Sequence, residues 1–142
     1  MAFHVPIREV DSSDLSPFHG VVTIFMRAGA LFGQATLTRV PAGKRLVVEY
    51  LDGRAELPVG QRITLVRFSA DVSPFQQIEH CFGAKFQATA QATGGPVDCH
   101  TFNHLLRAYA DPGTSIEVLV NRSDSTGTAS ARVNLTGYFV NL

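Results

Sequence analysis

Stretches rich in Val, Ile, Thr, Phe and Tyr recur roughly every 10–15 residues, separated by Gly, Pro and Asp, and the 3.6-residue period of an amphipathic helix is nearly absent. Apolar faces repeating on such short segments must be buried against other strands, so the pattern predicts an all-β, antiparallel β-sandwich, a jelly roll, of 8–10 strands. Eight main strands are expected at Val21–Arg27, Gln34–Val40, Arg45–Leu51, Arg62–Ser69, Ile78–Gln91 with a break near Gly83, Thr101–Ala110, Ser115–Asn121 and Thr128–Asn141. A chain of 142 residues has the length of one domain. Residues 1–19, with Asp11-Ser12-Ser13-Asp14 and two prolines, read as an arm or an edge strand. A strand near Phe3–Ile7 and at most one helical turn near Ser13–Ser16 are expected there, and residues 20–142 read as the sandwich, with both termini near one edge.

The period of two assigns faces. Ile116, Val118 and Val120 alternate with Glu117, Leu119 and Asn121, and Ala131, Val133 and Leu135 with Arg132, Asn134 and Thr136, so the first set of each is expected in the core. Ala84, Phe86, Ala88 and Ala90 alternate with Lys85, Gln87, Thr89 and Gln91, the signature of a strand with one buried and one wet face. Gly137 is expected to form a bulge that switches the faces of Tyr138, Phe139 and Val140. Pro41-Ala42-Gly43 and Asp111-Pro112-Gly113 predict tight turns; Asp52-Gly53 suits a hairpin, followed by a longer connection over Arg54–Gly60. Gly94-Gly95-Pro96 and Asp124–Gly127 read as loop tips.

Composition narrows the function classes. Twelve basic residues balance twelve acidic ones, so no field draws the chain to nucleic acid, and no apolar run approaches a membrane span. Apolar residues make up 45%, enough for a core that needs no metal, while charged residues are only 17%, with eleven Thr and nine Ser making up the difference. Low charge density with zero net charge favours self-association, so a homo-oligomer is the expected partner state. Met1–Pro6 has neither the basic nor the apolar region of an export signal, which leaves secretion open for a mature chain.

Candidate chemistry centres on Cys81 and Cys99. A disulfide between them would close a loop of seventeen intervening residues, worth about 3 kcal/mol, and would imply an oxidising compartment; two reduced buried thiols, or a metal or catalytic role, are the alternatives. His80, His100 and His104 lie beside them, but adjacent strand residues point to opposite faces, and two residues four apart on a strand are about 13 Å apart, so no metal site is expected. Cys99 with His100 lacks an orienting third group for nucleophilic catalysis. Glu49 and Glu117 are the acids that neighbouring strands would have to bring together for glycoside hydrolysis; each reads better as a solvated acid. No hydrolase, nucleotide-binding or metalloprotease signature occurs. No Trp is available as a sugar platform, and the ten Phe read mostly as core. Asn121-Arg122-Ser123 and Asn134-Leu135-Thr136 match the glycosylation sequon, which carries no meaning in a bacterial host.

Val40-Pro41-Ala42-Gly43-Lys44-Arg45-Leu46-Val47-Val48-Glu49, Tyr109–Thr114 and the closing Leu135–Val140 resemble segments of small exported bacterial β-sandwich proteins of unassigned role. The resemblance covers about two-thirds of the chain and implies an exported sandwich, with no catalytic residues attached. The first strand residues Ala2–Val5 and the end Gly137–Leu142 are similar to the terminal strands of TNF/complement-type jelly rolls, which implies a trimer with Tyr138, Phe139 and Val140 buried between subunits. The middle of the chain departs from that pattern.

Taken together, a non-catalytic structural or adhesive module, secreted, periplasmic or on the cell surface, is expected, with no cofactor and a homo-oligomeric state; a cytoplasmic location stays open. The alternatives are a small-molecule or carbohydrate binding domain with an open sheet face or loop cleft, and a metal-dependent enzyme using His80, His100 or His104.

Overall fold

A computed structural model describes residues 15–73 and 76–142. Nine strands run through them: β1 (Leu15–Met26), β2 (Phe32–Arg39), β3 (Lys44–Pro58), β4 (Ile63–Ser73), β5 (Gln76–Phe82), β6 (Lys85–Ala92), β7 (Gly95–Ala110), β8 (Ser115–Arg122) and β9 (Ala129–Asn141). They form two antiparallel sheets, one of five strands in the order β1-β9-β3-β7-β6 and one of four in the order β2-β8-β4-β5. Side chains of both sheets join one apolar core, with Leu46, Leu51, Leu57, Val133 and Leu135 from the first meeting Val66, Phe68, Ile116, Val118 and Val120 from the second. This arrangement is compatible with a β-sandwich. The expected strand at Phe3–Ile7 falls outside the described residues; Leu15 and Ser16, placed by the sequence in a helical turn, are extended and pair with Val140 and Phe139 at the edge of the five-stranded sheet.

The alternation read in β8 and β9 holds, with Ile116, Val118, Val120, Ala131, Val133 and Leu135 all buried. The turns at Gly43 (φ 73°) and Gly113 (φ 78°) also fall where expected, each closed by a backbone hydrogen bond, from Lys44 N–H to Pro41 O and from Thr114 N–H to Asp111 O.

Three local readings are corrected. Asp52-Gly53 is no turn: β3 runs straight through it for fifteen residues. Gly53 is needed because a side chain there would overlap the Phe102 ring and the Arg132 carbonyl, so the missing Cβ makes room for a buried aromatic and a close strand. The turn comes at Val59-Gly60, where Gly60 takes φ 89° and Gln61 N–H bonds Pro58 O. The bulge expected at Gly137 lies in its partner strand. The β1–β9 register continues unbroken, whereas β3 carries the extra residue Glu49, between Val48 opposite Gly137 and Tyr50 opposite Thr136. The face switch therefore occurs in β3, whose buried residues change from Leu46 and Val48 to Leu51, Ala55 and Leu57. Gly137 is required there because any Cβ would meet the Val47 carbonyl.

The third correction concerns β6. The fifth stretch breaks at Gly83 as read, but its halves join different sheets: β5 borders β4, and β6 borders β7 as the outermost strand of the other sheet. All eight residues of β6 are exposed, so the expected buried face of Phe86, Ala88 and Ala90 has no cover. A bulge at Gln87 adds to this, because Phe86 opposes His100 while Ala88 opposes Cys99, which puts them on opposite faces.

One end of the molecule is tied by a single side chain. Arg122, 3% exposed, ends β8 and sends its guanidinium into three connections. Nε bonds Ala30 O at 2.8 Å, Nη2 bonds Arg27 O at 3.0 Å and Gly127 O at 2.9 Å, and Nη1 reaches Gln61 Oε1 at 3.2 Å. The buried cation is satisfied by the negative ends of carbonyl dipoles rather than by a carboxylate.

Candidate ligand-binding face

Cys81 and Cys99 do not form the expected disulfide: both are free thiols, Cys81 exposed on the edge strand β5 and Cys99 buried on β7 of the other sheet. The reason is topological, since the break at Gly83 sends the two halves of one expected strand to different sheets. The cysteines thus lend no support to an oxidising compartment. Glu49 and Glu117 also belong to different sheets, so they are not on neighbouring strands as glycoside hydrolysis would require. Among the terminal aromatics, Phe139 packs edge-to-face on Phe18 of its own chain, centroids 5.2 Å apart, with the Lys44 ammonium 5.7 Å above its ring. Tyr138 and Val140 are half-buried.

The histidines fall into two groups that spacing alone did not pair. His104 stacks on Phe82 across the gap between the sheets, centroids 4.9 Å apart and nearly parallel, and lies 6.5 Å from His80 of β5. His100, 4% exposed, lies against Phe86 at 5.6 Å. Among the described residues no group of three or more His, Cys, Asp or Glu side chains is arranged to hold a metal ion.

Polar groups converge instead on the outer face of the five-stranded sheet. Period-two alternation and the strand registers line them up in rows across the strands. The central row runs Thr23, Arg132, Arg54, Thr101, Lys85 from β1 to β6, each residue opposite the next. On one side lies the row Val21, Asn134, Asp52, Asn103, and on the other Phe25, Ser130, Glu56, Cys99, Ala88. Arg54 and Arg132 stand directly opposite one another, an arrangement that costs energy unless counter-charges or a ligand intervene. Arg54 is ion-paired with Glu56, and that bond holds its guanidinium charged more firmly than usual.

This face is furrowed rather than flat. A depression of about 420 Å³ beside Phe25, Glu56 and Ser130 adjoins one of about 320 Å³ lined by Thr23, Arg54, Glu56, Ser130 and Arg132. The second shares Arg54 and Arg132 with a third, of about 300 Å³, around Tyr50, Asp52, Asn103 and Asn134. That one shares Thr101 and Asn103 with a fourth, of about 310 Å³, reaching Lys85 and Gln87 of β6. The four depressions lie side by side, divided by the side chains they share, and together make a segmented furrow on this face. Sequence reasoning missed it because its residues come from five strands, and only the register brings them together. The single local signal was the run of hydrophilic residues alternating with core residues in β9 and β7.

No protein-family model matches the chain, and a search of curated proteins finds no match.

Proposed function

We propose that the chain is a non-catalytic binding module of jelly-roll topology that engages its ligand on the outer face of the five-stranded sheet. The topology reading is supported by the nesting of the pairs β1·β9, β2·β8, β3·β7 and β4·β5, the order a long hairpin takes when rolled on itself, with β6 added at one edge. The binding reading rests on one observation, the line of adjoining depressions whose walls present Arg54, Arg132, Asp52, Asn103 and Asn134. Both depressions centred on Arg54 and Arg132 are open, and the charged groups along the furrow are already paired or spread along it, which suits recognition better than acid–base chemistry.

The test is a thermal-shift screen of the protein against a mixed library of metabolites and glycans, repeated with Arg132→Ala. Arg132 is exposed and ends no core contact, so the variant keeps the fold. A ligand that raises Tm of the parent protein and leaves the variant unmoved supports the reading. Ligands that raise both equally place binding elsewhere and overturn it.

A second reading, self-association, is favoured by β6, whose outer flank has no neighbouring strand among the described residues and bears one charge, Lys85, among eight exposed residues. A second copy adding its own strand would satisfy that row of backbone groups.

A further inference from the structure

We infer that the furrow on the five-stranded sheet takes a neutral, linear, polyhydroxylated chain, an oligo- or polysaccharide, lying along β3; this rests on the proposal that the furrow is the ligand face. The shape excludes the commoner kind of site. Small molecules are held in closed pockets that bury most of their surface, whereas the four adjoining depressions are each open to solvent on a sheet face. From Glu56 to Tyr50 three of the depressions follow one another along β3 for about 20 Å at ~3.3 Å per residue, several times the width of one sugar ring, and the fourth branches toward β6. A ligand that fills it is therefore extended.

Charge decides what that ligand carries. Both signs line the same face, Arg132, Arg54 and Lys85 in the central row and Asp52 and Glu56 in the rows on either side. A polyanion would be drawn to the central row but would press its charges on Asp52 and Glu56 in the flanking rows, and a polycation would meet the opposite conflict. Hydroxyl groups meet neither. Each donates to a carboxylate while accepting from a guanidinium or amide NH₂, so one sugar ring can satisfy both kinds of wall at once. The planar forks of Arg132, Asp52, Asn134 and Asn103 match pairs of neighbouring hydroxyls with two parallel bonds. Apolar sugar faces have partners too. Phe25, 74% exposed, stands beside the Glu56 end of the line along β3, and the half-buried Tyr50 at its other end. An exposed Phe beside Glu56 and Ser130 is otherwise left uncovered in water.

Isothermal titration with neutral glucan, xylan and mannan oligosaccharides of increasing length, against oligogalacturonate as the anionic control, tests this. Affinity is expected to rise with each sugar until the furrow is filled and then level off. Phe25→Ala and Asn103→Ala should each weaken binding at least tenfold while leaving Tm unchanged, and oligogalacturonate should bind more weakly than the neutral chains. If the oligogalacturonate binds more tightly and Arg132→Ala abolishes it, the neutral class is wrong and the ligand face stands. Neutral sugars that bind with no loss in either variant overturn both. No heat with any neutral oligosaccharide overturns the inference while leaving the face to the library screen.

Discussion

Strands β6 and β8 are each eight residues long and each alternate small or apolar residues with polar ones, yet they end in opposite environments. In β8 every second residue is buried, Ile116, Val118, Val120 and Arg122, because β2 and β4 flank it and the five-stranded sheet covers its inner face. In β6 no residue is buried, because five strands face four and the surplus strand overhangs the edge. Alternation reports which side chains share a face, and cover is a property of the whole sheet. A strand has a core face only where the opposing layer reaches it.

The largest effect that this difference predicts comes from one substitution made in both strands. Val118→Asp places a carboxylate among Phe68, Val66 and Ile116 with no partner, a loss above about 4 kcal/mol that consumes most of the stability of a small domain. Ala90→Asp, at the exposed middle of β6, should change stability by less than about 0.5 kcal/mol. It should also reduce any self-association, since a charge on an open edge blocks strand addition. Urea unfolding of both proteins and light scattering of the second are the measurements. Equal destabilisation by the two would show that β6 is covered and break the comparison.

A loss of about 3 kcal/mol is expected for Arg122→Ala, smaller than for Val118→Asp but still large for a polar residue. Its guanidinium serves carbonyls of Arg27, Ala30, Ser125, Thr126 and Gly127 as well as Gln61, so truncation leaves several acceptors without a donor at the end where three connections meet. Arg122→Lys should recover only part, because one ammonium cannot span the same set of carbonyls. Chemical denaturation midpoints rank the three proteins. A lysine variant equal to the parent would mean that charge alone, without the planar fork, holds this end.

Where local chemistry dictates local shape, the sequence was legible. Asp111-Pro112-Gly113 makes its turn because proline fixes one dihedral and glycine accepts the positive φ, and the buried alternation of β8 and β9 follows from their apolar residues. Gly53 misled because glycine also serves where a neighbour comes too close, and the neighbour, Phe102, lies 49 positions away in the chain. Cys81 and Cys99 looked like a pair because distance along the chain says nothing of which sheet each half-strand joins. Of the candidate face, the sequence offered exposed polar residues one strand at a time. The row Thr23, Arg132, Arg54, Thr101, Lys85 exists only in the register, and the His80–His104 pair only across the gap between sheets.

The smallest predicted effect sharpens the comparison most, because it asks what holds an uncovered strand. Beyond its ladder to β7 and the Phe86–His100 ring contact, β6 is tethered through a side-chain hydrogen bond: Thr89 Oγ1 donates to Asp98 Oδ1 at 2.7 Å, and Asp98 Oδ2 accepts from Gly60 N–H at 2.8 Å in the β3–β4 turn. Those two donors, Gly60 N–H first, hold the Asp98 carboxyl below the usual carboxylate range. A carboxyl with a depressed folded pKa adds stability above its unfolded value of about 3.9, and that stability is lost as pH falls through the folded value. Acidification should therefore release β6 first, visible as lower hydrogen-exchange protection factors at its amides, taken against the free-peptide rate at each pH, while β8 amides stay protected. Asp98→Asn keeps an acceptor for one donor and removes the charge, so its β6 protection should already be lower at neutral pH and should not fall further on acidification. If the parent shows equal protection factors in β6 at pH 7 and pH 3, the ladder alone holds the strand, and the cover supplied by the opposing sheet is the whole of the difference between β6 and β8.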